Sequence, residues 1–163
     1  MPITLLKELP EVRFGHWGPV FVSVWFSELT ERSLDALESH QRDLAKRYPS
    51  VTLLSVVVGA SKAPPPELRD RIKAQSNELR KQRIGNIVAV TNKGVGAIIA
   101  RTFLAALSLI SDEKMIIVKT AREAAEAARA IPGQAGEVIA HASLGEELEA
   151  FVAQAAPQAA SSS

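Results

Sequence analysis

VTLLSVVVG, residues 51–59, is the stretch that decides the fold class. It is almost unbroken in apolar and β-branched residues, the form taken by a strand covered on both faces. Such strands occur in parallel sheets flanked by helices. Two shorter runs of the same kind follow, IVAVT at 87–91 and MIIVK at 115–119. The segments between them carry a helical period. From Glu67 to Arg83, Leu68, Ile72, Gln75 and Leu79 share one side; Pro64-Pro65-Pro66 stiffens the approach and Gly85 marks the end. After the Asn92-Lys93-Gly94 turn, GVGAIIARTFLAALSLI (94–110) reads as an apolar helix, closed by the polar break 111–114. Thr120 then caps AREAAEAARAI, with Ala124, Ala125, Ala128 and Ile131 on one side, and Pro132-Gly133 ends the pattern.

Upstream of the deciding run, Thr30 or Ser33 caps a helix whose stripe is Leu34, Leu37, Gln41, Leu44 and Tyr48, and Pro49 stops it. Before it, VRFGHWGPVFVSVWF (12–26) holds two strands joined by a Gly/Pro turn, with Val20, Val22, Val24 and Phe26 alternating against Phe21, Ser23 and Trp25. The order is ββαβαβαβα, which predicts an α/β fold. It should have a single, mostly parallel central sheet, an antiparallel edge pair and right-handed crossovers. A weaker helical signal occupies 134–154, an extension beyond the 1–133 domain, and 155–163 reads as a disordered tail.

With 163 residues, 17.5 kDa and 47% apolar residues, the chain fits one domain with a real core. Cysteine is absent, which removes disulfides, thiolate metal sites and cysteine nucleophiles. His16, His40 and His141 stand far apart and never at metal-ligand spacing, so neither a metal nor a cofactor is expected. Nineteen basic residues face eighteen acidic ones, a balance that disfavours nucleic acid and anionic membrane as partners. The first residues lack a signal-peptide pattern. The stretch 94–110 falls short of the roughly 20 residues of a membrane span and carries Arg101 at its middle. A cytoplasmic protein is the expectation.

GNIVAVTNKGVGAIIARTFLAAL followed by MIIVKTAREAAEAARAI resembles the second half of SpoIIAA-like domains of the STAS family. The element order over about residues 10–131 is also similar to that family's. The resemblance implies a small non-catalytic module that binds other proteins, in some members switched by phosphorylation of a Ser or Thr beside the helix after the third strand. Ser61 is the hydroxyl at the matching loop, although Ala60 and Lys62 flank it where the family's regulated serine follows an aspartate.

The residues themselves offer three function classes. Charge is uneven along the chain: residues 62–83 hold seven cations against three carboxylates, net +4, and residues 120–163 hold two against six, net −4. Arg69, Lys73 and Arg80 on the basic helix are therefore candidate partner contacts, although this helix could also dock on the acidic C-terminal one. No aromatic interleaves the cations, which speaks against single-stranded nucleic acid. The apolar helix is the second candidate surface: Ile98, Arg101, Thr102, Phe103 and Leu107 would meet a protein partner, including a second copy in a homodimer. Arg101 there should find a carboxylate, carbonyls or solvent. A different class is a module for a small anionic or lipid-like ligand at Lys93, Gly94 and Gly96, where a turn feeds a helix N-terminus. The third class is an enzyme using His40 or His16, but no catalytic set is visible and no catalytic residue is assigned.

Overall fold

The structure, a computed structural model, describes residues 3–59, 64–91, 94, 98, 101, 115–131 and 144–161. Six strands form one sheet in sequence order: β1 Thr4–Glu8, β2 Val12–Trp17, β3 Val20–Trp25, β4 Val51–Val57, β5 Arg83–Val90 and β6 Met115–Val118. β1, β2 and β3 run antiparallel, and β3 through β6 are parallel. The helices are α1 Glu31–Arg47, α2 Pro66–Leu79, α3 Ala121–Arg129 and α4 Leu144–Ser161. The expected α/β class is therefore observed, with an antiparallel edge of three strands where the sequence suggested two.

Local chemistry accounts for most of the boundaries. Gly18 has φ 53° at the first central position of the β2–β3 hairpin, a conformation that favours glycine, and Trp17 pairs with Val20 across it. Thr30 caps α1: its Oγ1 accepts from the Ser33 amide at 3.1 Å while Ser33 Oγ accepts from the Thr30 amide at 2.8 Å. Tyr48 closes α1 just before Pro49. Thr120 Oγ1 likewise accepts from the Glu123 amide, at 3.0 Å, and opens α3.

One boundary moves. α2 ends at Leu79 rather than Arg83, and Gly85 lies inside β5, where Thr52 is its β4 neighbour. Gly85 is a packing residue and not a helix stop: a Cβ there would sit 2.1 Å from Ile131 Cδ1.

Alternation along the strands divides the interior into two cores. Val20, Val22, Val24, Leu54, Val56, Ile87 and Ala89 face α3 and α4, meeting Ala124, Ala125, Ala128, Leu144, Leu148 and Phe151. Phe14, Phe21, Trp25, Val51 and Leu53 face α1, meeting Leu37, Leu44 and Tyr48. α2 joins the α1 layer through Arg71 to Asp35 at 2.6 Å and Glu38 at 3.2 Å, Glu78 to Arg42 at 3.0 Å, and Gln75 to Gln41 at 2.7 Å. Parallel strands laid down in sequence put successive crossovers on the same face, which is where α1 and α2 lie. The basic helix and the acidic C-terminal helix consequently occupy opposite faces of the sheet. That placement precludes the docking of one on the other that their opposite charges would allow.

Among the described residues, no helix is long and apolar enough to cross a membrane.

Candidate interaction surface

α2 is held from beneath and from one side. Leu68 and Gln75 are buried; Arg71 and Glu78 pair with α1. Arg83, just after the helix, donates to Gln41 Oε1 at 3.1 Å and to Ser76 Oγ at 3.3 Å. Gln41 Oε1 thereby receives both Gln75 and Arg83, and a buried amide carbonyl with two donors is fully satisfied. Gln82 adds a bond to the Ala45 carbonyl at 2.9 Å and fixes the lower end of α2 against α1.

These ties use some of the basic residues and leave others. Arg42, Arg71 and Arg83 serve the α1–α2 seam, and Glu78 beside Arg42 holds its carboxyl below the ordinary value. Arg69, Lys73 and Arg80 are exposed, and no ion pair engages them among the described residues. All three lie off the side of Leu68, Ile72, Gln75 and Leu79 that the helical period turns inward. Tied cations and spare cations thus share one helix.

The face beneath α1 and α2 is partly polar. Trp25 Nε1 donates to Ser23 Oγ at 3.0 Å, and Ser23 Oγ donates to Ser55 Oγ at 3.1 Å. Asn86 is 5% exposed, and its Oδ1 has no hydrogen-bond partner among the described residues. Leu53, Ser55 and Val57, on a strand with neighbours on both sides, are only half-buried. A shallow recess between α1, α2 and β4 is lined by Phe21, Gln41, Ala45, Leu53, Leu79 and Arg83, among others. Sequence reading found none of this seam, because it depends on which helix crosses above which strand.

The second expected surface is described only in part. Ile98 is 62% exposed. Arg101 is half-buried, and its Nη2 donates to the Val90 carbonyl at 3.2 Å, so a carbonyl at the end of β5 receives the lone cation. Gly94 is exposed with φ 90°, and its carbonyl accepts from the Ile98 amide at 3.3 Å. Ser61, Lys93, Gly96, Thr102, Phe103 and Leu107 lie outside the described residues.

The two described histidines have structural surroundings, and His141 lies outside the described residues. His16 Nδ1 lies 3.1 Å from the Gly18 carbonyl in the hairpin, and His40 rests against Phe14 with ring centroids 6.3 Å apart. Among the described residues no group of histidines and carboxylates could hold a metal ion.

Glu11 was not anticipated as a structural residue. Only 6% exposed, it sits between β1 and β2 and accepts from Thr30 Oγ1 at 2.7 Å and from Arg32 Nη2 at 3.5 Å. Burial pushes its carboxyl up, but the Thr30 hydroxyl, its own backbone and Arg32 outweigh this and leave it below the ordinary value. It therefore fastens the cap of α1 to the antiparallel edge.

No protein-family model, curated protein or solved structure matches the chain, so what the comparisons leave standing is an α/β fold with a mixed six-stranded sheet.

Proposed function

We propose that this chain is a non-catalytic regulatory or scaffolding domain of the STAS-like type, acting by protein–protein contacts through its α1/α2 layer. The observation that carries the reading is the division of cations on α2. Arg71 lies in the seam with α1, while Arg69, Lys73 and Arg80 face outward and make no ion pair among the described residues. Exposed cations of the second kind contribute little to folding, and they are suited to a partner's carboxylates. The strand-helix order and the antiparallel edge support the STAS-like part of the reading.

Cross-linking of the full chain in cell extract, read by mass spectrometry, tests it. Cross-links to defined partners should concentrate on α1 and α2. Partner cross-links confined to α3 and α4, or absent altogether, would overturn it.

A second reading is a small anionic ligand at the turn after β5, around Lys93, Gly94 and Gly96. Arg101 favours it, since a guanidinium has five N–H donors and the hydrogen bond described here, to Val90, occupies one. Inorganic phosphate would then raise the melting temperature of the wild type and leave that of Arg101→Gln unchanged. A shift common to both proteins would remove Arg101 from this reading.

A further inference from the structure

Helix α2 sorts its charges by sign around its axis. At about 100° per residue, Arg69, Lys73 and Arg80 fall within about 40° of arc, with Ser76 beside them and no carboxylate among them. Glu67, Asp70 and Glu78 cluster elsewhere, within about 80° of arc. The contacts settle the orientation. Glu78 reaches α1, Leu68 and Gln75 point into the molecule, and the three cations are exposed. The cations thus form a row on the flank turned away from α1, at spacing i, i+4 and i+11. At about 1.5 Å per residue the row is about 16 Å long.

This arrangement works against the helix that carries it. Like charges at i and i+4 repel, and a carboxylate at Lys73 would have stabilised α2 instead. Arg80, at the helix C-cap, complements the dipole; Arg69, near the N-terminus, opposes it.

We propose that the row docks an acidic segment of a partner protein, its carboxylates spaced to meet Arg69, Lys73 and Arg80. The proposal rests on the interaction-domain reading and names the chemistry of the partner. A protein segment fits better than nucleic acid for two reasons. α2 has no aromatic side chain on which a base could stack, and Glu67, Asp70 and Glu78, all along one side of the row, would repel phosphates there. A second copy also offers carboxylates on its α3/α4 layer: Glu126 and Glu149 there are tied to Arg129 and Arg122, while Glu123 and Glu146 are exposed, and self-association is therefore one of the outcomes that the test separates.

Titration of the isotope-labelled full chain with a deca-glutamate peptide, followed by amide chemical shifts, tests this. Shifts should map to residues 66–82, weaken at least tenfold in R69E/K73E/R80E, and vanish in about 0.5 M salt, where the screening length is only a few ångströms. Deca-glutamine should produce none, and E123K should bind as the wild type does. No shifts on α2, or shifts equal in the charge-reversed protein, would overturn the proposal. So would tighter binding of a ten-nucleotide single-stranded DNA, or a doubled mass by light scattering that the reversal abolishes. If the reversed protein keeps its partner cross-links, the acidic-segment proposal falls while the interaction-domain reading stands.

Discussion

The two faces of the sheet are covered in different ways. Toward α3 and α4, the strand residues Val20, Val22, Val24, Leu54, Val56, Ile87 and Ala89 are fully buried, and so are Ala124, Ala125, Ala128, Leu144 and Leu148 above them. An alanine-faced helix can lie close to the strands, and Gly85 lets Ile131 enter where any Cβ would collide with it. Toward α1 and α2, the cover includes Gln41 and Gln75, the sheet contributes Ser23, Ser55 and Asn86, and Leu53 and Val57 stay half-exposed. Apolar burial is large and non-directional. A buried hydrogen bond adds only about 1 kcal/mol net, but its loss leaves a costly orphan. The α3/α4 face is therefore sealed by apolar packing alone. The α1/α2 face has an apolar core of its own around Phe14, Phe21 and Leu44 under α1, and is completed by specific polar contacts where α2 lies.

The sharpest way to break that contrast is to damage each face once. Leu148→Ala opens a cavity in a core with no slack and should cost about 2–5 kcal/mol in urea unfolding. Gln75→Leu removes one donor from Gln41, which keeps its bond from Arg83, and should cost about 1–2 kcal/mol. Equal losses at the two positions would show that the faces do not differ as described.

Much of this contrast was legible in the chain, and the rest failed for definable reasons. The buried runs of β4 and β5, the alternation in β3, and the capping threonines Thr30 and Thr120 carry local signals, and all lie in the expected kinds of element. β1, TLLKE, escaped because it is an edge strand with four of its five residues exposed, so no buried face imposes a period on its sequence. The end of α2 was misplaced because Arg80, Lys81 and Gln82 are all good helix formers and only pairing of Arg83 with Val51 starts β5. Of the candidate surface, the exposure of Arg69, Lys73 and Arg80 followed from helical period. The Gln41–Gln75–Arg83 cluster and Asn86, without an Oδ1 partner among the described residues, did not, because each depends on three elements meeting.

A smaller effect sharpens the comparison from the rim of the α1 layer. Glu11 accepts from Thr30, and the same Thr30 oxygen accepts from the Ser33 amide, so the carboxylate is the last link of a chain that fixes the first turn of α1. Its folded pKa lies below the ordinary 4.5. The stabilisation it gives is thus fully present above the unfolded value and lost as pH falls through the folded one. Glu11→Gln retains an oxygen for Thr30 and gives up the charge facing Arg32, which is 66% exposed and therefore well screened. The expected loss at neutral pH is about 0.5–1 kcal/mol, and the variant should lose the part of the acid sensitivity that Glu11 contributes. Hydrogen exchange gives the decisive readout. Acidification should lower protection in α1 further in the wild type than in Glu11→Gln, whereas α4, whose carboxylate tie is Glu149 to Arg122, should respond alike in both. An α1 response that the substitution leaves unchanged, or an α4 response that it alters, would mean that Glu11 does not act on the α1 face alone.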